Sequence, residues 1–189
     1  MCMDDQDHCE TIETAFPELD RIADTDLREG VIDAWSASMA DNGVTDLEAV
    51  PWFPPAQRDL DLPDERLVPH VRDVTQGALA LAEALTERRT VDLSLDLLVA
   101  GALVHDISKL YEFSGMESTA IERLLGHPHY GVHVVTAAGL GPEIAHIVLA
   151  HTRRTAIAPA TIEAELVRRA DEAAAAAIRA QALSDLRNG

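Results

Sequence analysis

A chain of 189 residues with 47% hydrophobic side chains is long enough for one domain with a real core and too short for two full ones. Thirty-three acidic residues against 15 basic ones give a net charge of −18, which argues against a partner reached through its phosphates, whether a nucleic-acid polymer or an anionic membrane. A small anionic ligand would need a local positive site.

No apolar run approaches the length of a bilayer span, and the N-terminus, MCMDDQDHCE, is acidic where a secretory signal would be basic, so the chain reads as soluble and cytoplasmic. Both cysteines, Cys2 and Cys9, lie in that leader. A Cys2/His8/Cys9 metal clip would lack a fourth ligand, which leaves a disordered leader as the expectation. Of the 15 bases, 14 are arginine and one is Lys109. With the acid excess this composition reads as halophilic: carboxylates keep the surface hydrated and salt screens their repulsion. The expected result is a melting temperature that rises between low and molar potassium chloride; a flat or falling one contradicts that reading.

Taken in chain order, helix signals dominate. Pro17 suits a first helical position, Asp24 or Thr25 would cap a second helix, and Gly43 would stop it. Four prolines within residues 50–65 predict an extended connector. Apolar residues at 67, 71, 74, 78, 81 and 85 follow the spacing of an amphipathic helix. Residues 95–107 are apolar nearly throughout and predict a buried helix. Shorter helices are expected before Gly126, over HYGVHVVTAAGLG and from Pro142, and a long alanine-rich one is expected after Thr161 as its cap. No convincing alternating strand or repeat is present, so the fold class is all-α.

Seven of the eight histidines fall between residues 70 and 151. One histidine on an apolar helix is usually a satisfied core residue, so the argument rests on spacing. His70, His105 with Asp106, His127, His151 and Asp171 are each separated by about one helix and a return, which lets every helix of a bundle contribute an inward ligand. Their order, H…HD…H…H…D, resembles the HD superfamily of metal-dependent phosphohydrolases. VHDISKL is similar to the family's HDIGK motif, GHPHYG to its G-H-x-x-x-G element, IAHIVLAHT to its helix ending in histidine, and VRRADEAAA to its closing aspartate helix. The resemblance runs from about Leu67 to Ala177.

This resemblance implies an HD-domain helical bundle over residues 63–189, with residues 1–62 as acidic leader, helical extension and Pro-rich connector. It implies that His70, His105, Asp106 and Asp171 hold one divalent transition metal and that Asp106 bridges to a second at His127 and His151. Imidazole with carboxylate suits Mn, Fe, Co, Ni or Zn. One or two such ions would activate a hydroxide to attack a small phosphate ester, with a nucleotide favoured on family grounds.

Asp106 and Lys109 are then the catalytic residues, Lys109 reaching the substrate phosphate from one helical turn past Asp106. Arg153, Arg154 and His129 are further substrate-binding candidates, and His129 also competes with His127 as a ligand. His133 and His146 are expected in the core or behind the ligands, Trp35, Trp52 and Phe53 either roof the cleft or anchor packing, and Tyr111 and Glu112 line its mouth or the helix end. Ser108 stands where the motif has glycine, and Thr152 where many relatives have a second histidine. The N-terminal 60 residues would form a lid or a homo-oligomer contact. The same six-ligand pattern also serves mixed-valent di-iron oxygenases, which remain the alternative; a non-catalytic module is disfavoured because all six positions are intact.

Overall fold

The computed structural model describes residues 3–62 and 64–188. Helix α1 (Met3–Ala15) occupies the leader expected to be disordered. Its last turn is the reason: Ile12 and Ala15, with Phe16 just beyond, are buried in the main core, an anchor that the acidic residues around them hide in the sequence. Cys2 lies outside the described residues. A short 3-10 turn at Pro17–Arg21 leads to α2 (Thr25–Asn42). Asp24 caps α2 by accepting the Leu27 N–H at 3.1 Å, and Gly43 ends it at a left-handed φ of 61°. Trp35 is a packing anchor rather than a roof: its ring is fully buried against Phe16, and its Nε1 donates to the Leu103 carbonyl at 3.1 Å.

The connector is not simply extended. Pro54 and Pro55 open α3 (Pro54–Leu60), where a missing N–H costs nothing. The buried Gln57 side chain accepts from the Phe53 N–H and donates to the Leu62 and Glu65 carbonyls. Backbone bonds from Trp52 to Glu65 and from Leu67 to Val50 then close the loop on itself.

Helix α4 (Leu67–Thr86) buries Leu67, Val71, Val74 and Ala78, as the periodicity requires, but its stripe continues through Ala82 and leaves Leu81 exposed. Helix α5 (Leu95–Val104), capped by Ser94, is buried on every side from Leu98 onward. It ends before residue 107: His105–Ser108 form a turn into α6 (Lys109–Glu112). A hairpin of two-residue strands, β1 (Phe113–Ser114) and β2 (Glu117–Ser118), follows with Phe113 opposite Ser118. Strands this short cannot display an alternation. The chain continues through α7 (Ala120–Leu124), α8 (His127–Ala137), α9 (Pro142–Ala150) and α10 (Ile162–Arg179), the last capped by Thr161.

Helix α5 is the hub, packed against α2, α4, α9 and α10, while α4 lies along α10 and α8 along α9. The N-terminal helices share this core: the Asp96 carboxylate accepts from the backbone of Ala23 and Asp24, and buried Glu18 accepts from Arg72 and Gln76. Among the described residues no helix is long and apolar enough to cross a membrane.

Close approach of α5 to α9 depends on Gly101, where a Cβ would stand 2.5 Å from Ile147 Cδ1 and 3.1 Å from Ile147 Cβ. Gly101→Ala is therefore expected to destabilise the fold by about 1–3 kcal/mol, a fall of roughly 3–9 °C in melting temperature. An unchanged melting curve contradicts this packing.

Candidate metal centre

The six predicted ligands come from five places in the bundle, and the fold brings all six together. His70 is in the first turn of α4, His105 caps the C-terminus of α5 with Asp106 next in the turn, His127 opens α8, His151 caps α9, and Asp171 lies midway along α10. Asp106 is the centre. Its Oδ2 lies 3.5 Å from His70 Nε2 and 3.6 Å from His105 Nε2, and its Oδ1 lies 3.7 Å from His151 Nε2 and 3.8 Å from His127 Nε2. Asp171 Oδ1 joins the first side, 3.2 Å from His70 Nε2 and 4.0 Å from His105 Nε2. Donor atoms of His70, His105 and Asp106 fall within 4.8 Å of one another, as do those of Asp106, His127 and His151.

The donor set fits transition ions on two further grounds. His105 Nδ1 lies 2.7 Å from the Ala102 carbonyl and His151 Nδ1 2.7 Å from the Val148 carbonyl. A carbonyl only accepts, so both Nδ1 atoms carry the proton and both Nε2 lone pairs face the cluster. In addition, His70 Nε2, His105 Nε2 and Asp106 Oδ1 are buried without a hydrogen-bond partner among the described residues, an expensive arrangement that a cation would resolve.

Electrostatics leave most of these groups in the state a metal requires. Burial pulls His105 down to about 4 and holds His127 well below the usual imidazole range, the latter with help from the Lys109 charge. Asp106 is kept well below the carboxylate range because Lys109 and the surrounding imidazoles overcome the effect of its burial. Asp171 is lowered against its burial by His70 and the other histidines. His70 moves upward: burial opposes this, but two carboxylates outweigh it.

Above the cluster opens a cleft of about 370 Å³, lined by Trp52, Phe53, Lys109, Thr152, Arg154, Ala175 and Arg179 besides four of the six predicted ligands. Lys109 is buried, with Nζ 3.6 Å from Asp106 Oδ2 and 4.5 Å from the centre of the Phe53 ring. Arg154 lies 3.3 Å from both His127 Nδ1 and Glu122 Oε1. Trp52 and Phe53 do form a wall here, Trp52 against the His70 ring at 5.3 Å.

Other candidates lie elsewhere. Arg153 is exposed and paired with Glu172 at 2.8 Å. His129 faces solvent with Nδ1 3.0 Å from the Leu125 carbonyl, because two residues along a helix turn it about 200° from His127. Neither is among the described residues that line the cleft. His133 is exposed beside Tyr130, and His146 Nε2 accepts the Ala160 N–H at 2.9 Å. Tyr111 points away and donates to Asp41 at 2.9 Å.

Glu112 is no surface residue: it is fully buried, its Oε2 3.9 Å from His127 Nδ1, and burial raises it to about 7. The motif departure at Ser108 has a structural role, since its Oγ donates to the His127 carbonyl at 2.9 Å and ties the start of α8 to the His-Asp turn. Gly131 permits close approach of α8 to α9, because a Cβ there would stand 2.6 Å from Val148 Cγ1. Thr152 accepts the Arg154 N–H and shapes the turn that carries it. Sequence reading missed Glu122 and Arg179. Only Arg179 left a signal, standing eight residues after Asp171 on one helical face.

A bundle with histidines and aspartates converging from five helices is the architecture of a metal-binding helical domain. The HD domain family model matches residues 67–176, over half of the chain, and the chain belongs to that family. It is also similar to a dihydroneopterin 2',3'-cyclic phosphate phosphodiesterase of Methanocaldococcus jannaschii, with 33% identity over 112 residues, 57% of this chain and 45% of that protein. The match thus spans somewhat under half the length of that relative. No solved structure shows a significant match.

Proposed function

We propose that the protein is a metal-dependent phosphohydrolase of small phosphate esters. In this reading His70, His105, Asp106 and Asp171 hold one divalent transition ion, and Asp106, His127 and His151 hold a second. The observation that carries it is the placement of Asp106, whose two oxygens face two separate sets of imidazoles. Bound ions of this kind supply a water nucleophile near neutral pH and withdraw charge from phosphoryl oxygens.

The chain's own residues do the rest. Lys109, held between Asp106 and the Phe53 ring, is a compact charge fixed at the cleft floor, suited to a phosphoryl oxygen that gains charge as the ester bond breaks. Arg154, oriented by Glu122 and 5.7 Å from the centre of the same Phe53 ring, offers a second donor. In a chain of net charge −18 these local cations attract an anion that the rest of the surface repels. Phe53 and Trp52 exclude water from one side and present apolar faces to the organic part of the substrate.

The name of the Methanocaldococcus relative adds cyclic phosphodiesters to the substrate class, beside nucleoside monophosphates. Water adds to phosphorus in either case. A monoester then yields inorganic phosphate and an alcohol, and a cyclic diester opens to a monoester with one free hydroxyl. Phosphorus NMR of both panels incubated with metal-loaded protein tests the reading. Conversion in at least one panel is the expected result, and unchanged spectra across both would contradict it.

A further inference from the structure

Helix α10 carries Asp171, Ala175 and Arg179 at positions i, i+4 and i+8, and all three line the same cleft. Asp171 belongs to the ligand cluster. Ala175, one turn on, offers only a methyl group, packed beside Trp52 and Ile178. Arg179, two turns on, stands about 12 Å along the helix axis from Asp171, and helical side chains lean back toward the N-terminus, so its guanidinium inclines toward the cluster.

The three cations of the cleft differ in one respect. Lys109 is held by Asp106 at 3.6 Å and Arg154 by Glu122 at 3.3 Å. No hydrogen bond or ion pair joins the half-buried Arg179 guanidinium to a described residue, although the chain carries 33 carboxylates. An arginine in the last turn of a helix complements its C-terminus, but that role alone does not require it to line the cleft. This one lies beyond the stretch matched by the family, residues 67–176, so family membership assigns it no role.

We infer that Arg179 is the receptor for a second anionic group of the substrate, a phosphate or carboxylate held on an apolar spacer that crosses Ala175 and the Trp52 edge while the scissile phosphate lies at the ligand cluster. This deepens the hydrolase reading and rests on it for the placement of the first phosphate. The substrate is then an extended ester with two anionic ends. The guanidinium fork pairs with either oxyanion in a two-bond geometry that an ammonium cannot reproduce.

Inert analogues test this without turnover, because a P–C bond is not hydrolysed. Titration calorimetry on the full-length, metal-loaded protein would compare alkane bisphosphonates of two to eight carbons, and phosphonocarboxylates of the same lengths, with matched alkylphosphonates. The readout is the affinity ratio of the doubly to the singly anionic compound. In the wild type it should peak at about tenfold or more at one spacer length, the worth of a charged hydrogen-bonded pair. Whichever of the two series gives the higher peak identifies the second anion.

Arg179→Ala should flatten the peak to near one, Arg179→Lys should keep part of it, and Arg179→Glu should push the ratio below one. A wild-type ratio near one at every length, no binding of any compound, or a peak that survives in Arg179→Ala would overturn the inference. A protein that shows the peak yet hydrolyses no ester keeps the subsite and refutes the hydrolase reading instead.

Discussion

Replacement of Asp106 by alanine is expected to strip the protein of bound metal and to lower ester hydrolysis about 10³-fold or more. The magnitude follows from a metal contribution of several kcal/mol to phosphoryl transfer, at a factor of ten for each 1.4 kcal/mol or so. The effect is large because of position: one oxygen of Asp106 faces His70 and His105, and the other faces His127 and His151. Loss of this one side chain removes a ligand from both groups at once. Asp106→Asn is the control for packing, since it keeps the shape but loses the charge, and it should lose metal as well. His146→Ala should keep its metal, because His146 Nε2 serves the Ala160 backbone. Elemental analysis of protein purified without added metal reads all three variants, and equal metal in Asp106→Ala and His146→Ala contradicts the assignment.

The second large effect belongs to Lys109. Lys109→Ala should reduce turnover about 10²–10³-fold, the usual loss for one donor aimed at developing charge, while metal content stays near wild type. Metal retention separates this from a ligand defect, because Nζ is a cation and contacts the proposed ligand Asp106 without donating a lone pair to an ion. Lys109→Arg should recover only part of the loss. A planar guanidinium cannot take the place of a point charge 4.5 Å above the Phe53 ring without moving its donors. Full turnover in the alanine variant would return Lys109 to a purely structural ion pair with Asp106.

How far the fold was legible depended on whether a signal was local. Asp24 and Thr161 accept N–H groups three residues ahead, and Gly43 adopts a left-handed φ, so these boundaries are written in adjacent residues. The six clustered residues were readable because each helix contributes at an interval of one helix and a return. What failed depended on distant partners. Helix α1 is held by Ile12, Ala15 and Phe16 in a core shared with α2 and α5, which its own polar sequence does not announce. Four prolines suggested an extended connector, yet two of them occupy the start of α3 and Gln57 supplies the bonds that fold the segment back. Glu112 was expected at the cleft mouth or on the surface of a helix end, because only the tertiary fold buries it beneath His127. His129 and His127 are near in sequence, but the helical twist separates their faces.

One measurement bears most directly on the central claim, that this cluster hydrolyses phosphate esters through a divalent metal pair. Protein stripped of metal and reloaded anaerobically with Mn, Co or Ni would be given the monoester and cyclic diester panels. Hydrolysis that is absent from the stripped protein and returns without oxygen is the predicted result, and it should be lost in the double variant His105→Ala, Asp106→Ala. No hydrolysis in any reloaded form, together with an iron-loaded protein that consumes oxygen in the presence of a substrate, would contradict the account and identify an oxygenase.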